Sequence, residues 1–325
     1  MKLGIALIFC FFSQSLWSQA WQNRKAQVLH TEARWQNLKT WTDLGKTEEQ
    51  AVAALVEILS RSETGMKILR EAKQKASESG QTLSDVITAA EGSLTDTTLI
   101  RRFSPEAPDQ VMYETRSKVT VNRNLRVREA LLDLAHELTH FTYRTPFNPY
   151  THQFTLKSFV ESTVEGQGGE VEAFMVECQV YFELFPHEKD PAHQCRQVID
   201  KQTGEISKRL GIEHFYRVGT YHKKFSDELK TFELKPEDLP LLSEHDPLFI
   251  SSAWGLPYPI AAFREFVTIM GRACENDLRR LELLKSSSLR APASLELTNR
   301  YQKMNNDYES RCQGFRSDLH SQNIF

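Results

Sequence analysis

Nowhere in these 325 residues is there an uninterrupted apolar run of the roughly 20 residues that a membrane helix needs. Cys-x-x-Cys pairs are also absent, which removes the usual thiolate zinc sites. Neither sign of charge prevails. Lysine and arginine number 40 against 43 aspartates and glutamates, a net charge of −3, and this argues against nucleic acid as the main partner. Glycine and proline are sparse, at 14 and 12 residues, and no internal repeat or low-complexity tract interrupts the chain. What is left is a globular composition, 40% hydrophobic, with enough chain for one large domain or two modest ones.

The longest apolar stretch, residues 3–12, follows Met1-Lys2 and is too short to span a bilayer, so it reads as a secretory leader. Ser18-Gln19-Ala20 places small residues where a signal peptidase cuts. Residues 1–20 are therefore expected to be removed, leaving a secreted or periplasmic protein that starts at Trp21 and has no membrane span. Cys10 leaves with the leader. Cys178, Cys195, Cys274 and Cys312 remain, an even number in an oxidising compartment, and four cysteines allow three pairings. Cys178 with Cys195 and Cys274 with Cys312 are favoured, because each pair would pin adjacent helices across a short connection.

Hydrophobic periodicity predicts a mainly α protein with a small β-sheet, in the α+β class. Helical spacing recurs at 48–61, 64–77, 127–143, 168–185, 191–210, 259–285 and 293–312, with Trp35 and Trp41 as packing anchors in a helical region covering 21–95. Short strands are expected at 111–115 and 118–122, after a turn-rich stretch around Pro105 and Pro108. Residues 96–325 carry the chemistry, with a C-terminal helical part, and the proline-bearing connection 234–259 is a candidate substrate wall.

That chemistry centres on His136-Glu137-Leu138-Thr139-His140. Histidines at i and i+4 leave one helix face and can bind one tetrahedral ion as neutral nitrogen ligands. Glu137 points about 100° around the helix from His136. There it can take a proton from a water on the ion without ligating the ion itself. The core stripe of this helix is Val127, Leu131, Leu134, Leu138 and Phe141, with both histidines on roughly the opposite side.

A catalytic zinc has three protein ligands and an open position, so a third donor is needed. The helix at 168–185 is the best source, with Val171, Phe174, Met175, Cys178, Phe182 and Phe185 as its apolar stripe and Pro186 as its stop. Glu170 and Glu172 lie about 200° apart on it, so only one can face the ion. Glu170 is preferred over Glu172, because Ala173 three residues on leaves room for a close helix approach and Gly168-Gly169 let the backbone enter tightly. Glu161, Glu165 and Glu177 are weaker candidates. Among later residues, His214, Tyr216, Tyr221 and His222 are eligible to stabilise an oxyanion.

Over about 119–185 the chain resembles the zincin metallopeptidases, and within them the gluzincin branch. The histidine motif is similar to that of thermolysin-like enzymes, and Glu170-Val171-Glu172-Ala173 matches the Glu-x-x-Ala form in which several gluzincin families present the third ligand. The thermolysin-like register, in which the ligand precedes an alanine, would instead choose Glu172. Both patterns place an acid four residues after the ligand, where this chain has Phe174 or Val176. The resemblance implies a zincin-like core, one Zn2+ held by His136, His140 and a glutamate, Glu137 as general base, and a polypeptide substrate. The alternatives are a non-catalytic helical envelope or binding protein in which the motif is an accident or relic, and a zinc hydrolase acting on a non-peptide bond.

Overall fold

A computed structural model describes residues 39–104, 107–151, 155–188, 190–223, 225, 241–290 and 295–312. The expected leader and Trp35 lie outside the described residues. Trp41 lies at the start, fully buried, and donates its indole N–H to the carbonyl of Asn122 at 2.8 Å. Two capped helices follow. In α1 (Glu48–Leu59) the Thr47 hydroxyl accepts from Gln50 N–H, and in α2 (Glu63–Glu78) the Ser62 hydroxyl accepts from Gly65 N–H, each satisfying an orphan donor of the first turn. Gly65, Ile68, Leu69, Ala72 and Ala76 form the buried stripe of α2 at helical spacing.

The short α3 (Leu83–Val86) leads into β1 (Ile87–Ala90), β2 (Leu94–Ser104) and β3 (Ala107–Asn122), in the order β1-β3-β2. β1 runs parallel to the end of β3, from Ile87 opposite Val119 to Ala90 opposite Asn122, while β2 and β3 form a long antiparallel hairpin. The two short strands expected from alternation are thus one strand, with Pro108 inside it, and β2 was not expected. Its half-buried positions include Thr95, Thr97 and Arg101, so burial alternates along it without a matching alternation in hydrophobicity.

Six further helices of eight residues or more follow: α4 (Val127–Tyr143), α5 (Leu156–Val164), α6 (Glu170–Leu184), α7 (Lys208–Phe215), α8 (Tyr258–Arg290) and α9 (Leu295–Cys312). The mainly α class with a small mixed sheet is as expected. α4 lies at the centre, against α6, α2, β3 and β2. One hydrophobic core runs from Trp41 through α4 and α6 to Cys312, so residues 39–95 pack into the same interior as the rest.

The helix expected at 191–210 is a 3-10 turn (Gln194–Val198) followed by a reversal. Asp200 accepts from Gly204 N–H at 2.7 Å, Gly204 has φ +74°, and an Ile199–Ile206 bridge closes the loop. Asp and Gly turn chemistry outcompetes the weak helical period here. Cys195 in the 3-10 turn is bonded to Cys178 of α6, and Cys274 of α8 to Cys312 of α9, the two favoured pairings. Beside the second bond, buried Asp277 of α8 accepts from Arg101 of β2, from Arg280 at 2.8 Å and from Arg311 of α9, fastening the C-terminal helices to the hairpin.

Candidate metal centre

α4 is built from strong helix formers without glycine or proline, and it ends before Pro146, where Arg144 N–H bonds back to the His140 carbonyl. Of the expected stripe, Leu131, Leu134, Leu138 and Phe141 are buried, while Val127 in the first turn is only partly so. The opposite face is not solvated either. His140 is 5% exposed and Glu137 9%, and the His136 side chain 15%, because α6 covers the histidine side of the helix. α6 is correspondingly buried on more of its surface than one stripe, with Ala173, Val180 and Tyr181 inside and Met175, Phe182 and Phe185 only partly so.

α4 and α6 run antiparallel, as shown by Gly168 meeting His140 at one end and Glu188, just after α6, pairing with Arg128 at the other at 2.9 Å. This packing brings the Glu170 carboxylate to both histidines: Oε2 lies 3.5 Å from His136 Nε2, and Oε1 3.6 Å from His140 Nε2. One ligand atom from each of the three residues fits within a group whose members are no more than 4.8 Å apart. Ligands about 2.0–2.1 Å from a tetrahedral ion sit roughly 3.3–3.4 Å from one another, close to the two carboxylate–imidazole separations, so the group could hold a metal ion. Two imidazoles and one carboxylate are also a suitable donor set for zinc.

Both imidazoles have their other nitrogen engaged. His140 Nδ1 lies 2.7 Å from the carbonyl of Gly168, which can only accept, so Nδ1 carries a hydrogen and Nε2 is the nitrogen that a neutral ring would offer to an ion. His136 Nδ1 lies 3.1 Å from Glu177 Oε2, a carboxylate playing the same part. Gly168 has φ +67°, and a Cβ there would come within 2.4 Å of Arg144 N, so only glycine lets this carbonyl reach His140.

With no ion between them, the imidazoles and the acids offset one another's charge. Burial alone would lower the pKa of His136, but hydrogen bonds to Glu170 and Glu177 and the fields of Glu177 and Glu137 hold it well above the ordinary histidine value. Burial would raise Glu170, yet the field of His140 and hydrogen bonds from both histidines hold its carboxyl far below the usual carboxylate range. A further acid, Glu265 of α8, lies within electrostatic reach of Glu170, His140 and Arg144. Burial and Glu170 push it up against the opposing Arg144 and His140.

The other candidates have different partners. Glu172 turns away and accepts from Gly168 N–H at 2.6 Å, so the structure brings Glu170 and not Glu172 to the histidines. Glu165 accepts the Tyr216 hydroxyl at 2.8 Å, and burial together with Glu165 raises that phenol well above its ordinary pKa. Glu161 lies 3.8 Å from Lys157. His214 bonds to the Gln197 carbonyl, His222 pairs with Glu244, and Tyr221 packs against the core, so the described contacts place none of the four oxyanion candidates on the three-residue group.

Three features of the site escaped sequence reasoning. The Gly168 carbonyl is main chain and offers no residue type to read. Glu177 was legible as an acid near Glu170, but its place on His136 was not. Thr95 of β2, whose hydroxyl lies 2.8 Å from Glu137 Oε2, comes from a strand that was not expected. Comparison with protein-family models, curated proteins and solved structures gives no match for this chain.

Proposed function

We propose that this protein is an exported zinc metallopeptidase, hydrolysing peptide bonds at the site formed by His136, His140, Glu170 and Glu137. The observation that carries the reading is the convergence of His136 Nε2, His140 Nε2 and the Glu170 carboxylate, at 3.5 and 3.6 Å, with both Nδ1 atoms already engaged. A zinc ion bound there supplies a Lewis acid that polarises a carbonyl and acidifies a water. Glu137, one residue from His136 and outside the ligand group, takes the proton from the attacking water and delivers it to the leaving amine. Glu177 and the Gly168 carbonyl keep the imidazoles oriented, with their Nε2 atoms toward the Glu170 carboxylate and the ion position.

β2 is an edge strand among the described residues, and its outer main-chain groups can hold an extended peptide beside Glu137. Export is supported by the leader-like residues 1–20, which lie outside the described residues, and by the two disulfides. No described helix is long and apolar enough to cross a membrane.

The test begins with metal analysis of the purified mature protein, where about one zinc per chain is expected. Glu137→Gln should retain the zinc and the fold while peptide turnover falls at least about 100-fold, the lower range for losing a positioned general base. A protein that neither carries zinc nor gains it at neutral pH would sink the reading. Zinc binding with turnover unchanged by Glu137→Gln would remove Glu137 from its assigned role.

A further inference from the structure

Thr95 is the second residue of β2 and pairs with the fully buried Val119 of β3. Directly paired residues project from the same face of a sheet, so Thr95 faces inward, toward α4. Its Oγ1 lies 2.7 Å from the main-chain oxygen of Glu137 and 2.8 Å from the same residue's Oε2. Both are acceptors, and a hydroxyl has one hydrogen to give. A threonine that merely fastened the strand to the helix would need only the carbonyl. This one also reaches the side chain that the metallopeptidase reading assigns to proton transfer.

We propose that Thr95 is the positioning residue for Glu137, holding Oε2 so that the carboxylate stays off the metal position and Oε1 is left to meet the attacking water. The inference rests on the metallopeptidase reading. Thr95 itself gives up no proton. When a water O–H bond breaks and the hydrogen joins Glu137 Oε1, the carboxylate loses its charge and the Thr95 hydrogen can turn to the main-chain oxygen 2.7 Å away. When that proton passes to the amine nitrogen of the leaving group, the charge returns and the hydroxyl turns back. Two acceptors within reach of one rotor keep the residue bonded at each stage.

The experiment compares Thr95→Val and Thr95→Ser in the parent and in the Glu137→Gln background, with zinc retention measured on every variant. Thr95→Val should lower kcat about 10- to 100-fold, the cost of a catalytic group displaced by about 1 Å, with KM within about threefold and zinc retention unchanged. Thr95→Ser should restore most of the loss. In the Glu137→Gln background Thr95→Val should cost nothing further, since both changes act through one carboxylate. Parental kcat in Thr95→Val, an equal loss in both backgrounds, or failure of serine to rescue would each overturn the proposal. Should Thr95→Val not fold, Thr95→Ala carries the same comparison. A second readout needs no turnover: in the cobalt-substituted protein, Thr95→Val should shift the visible ligand-field bands as the released carboxylate reaches the ion, and Thr95→Ser should not. If the parent binds cobalt but cleaves no peptide, the metallopeptidase reading fails on its own, and parental cobalt bands in Thr95→Val would still overturn the positioning role.

Discussion

Glu177 stands seven residues after Glu170, and on an α-helix seven residues return to within about 20° of the starting direction. The two acids therefore share a face of α6, about 10.5 Å apart along the axis. Glu170 lies between the two Nε2 atoms while Glu177 reaches round to His136 Nδ1. In the gluzincin pattern that the sequence resembles, an acid stands four residues after the ligand; here that position holds the buried Phe174, and the acid on His136 Nδ1 is Glu177, one turn further on. This arrangement predicts a graded response to a chelator. Glu177→Gln should weaken zinc binding roughly 10- to 100-fold, as loss of an outer partner does, and Glu170→Ala by more, because a ligand and its charge are gone. Glu172→Ala should cost least, since its carboxylate only steadies Gly168 N–H. Zinc lost from Glu172→Ala but kept by Glu170→Ala would reverse the ligand assignment. At this scale the histidine motif was readable because all its members lie on one helix at fixed spacing. Thr95, 42 residues from Glu137, and the Gly168 carbonyl, 28 residues from His140, depend on tertiary packing that no local pattern encodes.

At the level of elements, Glu183 near the end of α6 caps a helix that is not its own. Its Oε2 accepts from Ser62 Oγ at 2.6 Å and from Thr64 N–H at 3.0 Å, and its Oε1 from Thr64 Oγ1 at 2.6 Å, at the start of α2. A carboxylate there also meets the positive end of the α2 dipole. Burial would raise its pKa, but the bonds from Ser62 and Thr64 outweigh it and hold the group below the ordinary glutamate value. The sign follows from linkage: a depressed folded pKa means stability that is present above the unfolded value, about 4.3, and lost as pH falls through the folded one. Glu183→Gln should thus cost about 1–2 kcal/mol at pH 7, and the gap from the parent should shrink below about pH 4. Thermal or urea unfolding across that range measures it, and a gap that persists unchanged in acid would show that charge plays no part. Helices α1, α2, α4, α6, α8 and α9 were legible because each repeats apolar residues over several turns. β2 was not, since threonine and arginine occupy several of its inward positions, and residues 191–210 misled because Asp200 and Gly204 set a turn inside a helix-like pattern.

At the scale of the whole molecule, the helices before residue 96 share one interior with the two helices of the candidate metal centre. Reading 21–95 and 96–325 as separate regions followed from where the chemistry lies, and the four-residue β1, Ile-Thr-Ala-Ala, gave no warning that the two share a sheet. In the folded chain β1 pairs in parallel with β3, and a cut after residue 95 would also sever β2 beside Thr95. Trp41, Leu55, Leu59, Ile68, Val86 and Ile87 belong to the core that contains α4 and α6, and each is 2% exposed or less. Burying a large apolar side chain contributes about 1.5–3 kcal/mol, so this group together contributes on the order of 10 kcal/mol, comparable to the whole stability of a domain. Polar ties cross the same boundary: Trp41 to Asn122, Glu183 to the start of α2, and Tyr143 at the end of α4 to Glu71. A fragment of residues 96–325 is therefore expected to lack cooperative unfolding and to bind zinc weakly, because the helix carrying His136 and His140 loses α1, α2 and Trp41 from its surroundings. Circular dichroism on heating, with zinc titration of the fragment beside the chain from Trp21 onward, makes the comparison. A fragment that melts cooperatively and holds zinc as the longer chain does would show that residues 21–95 are dispensable to the fold.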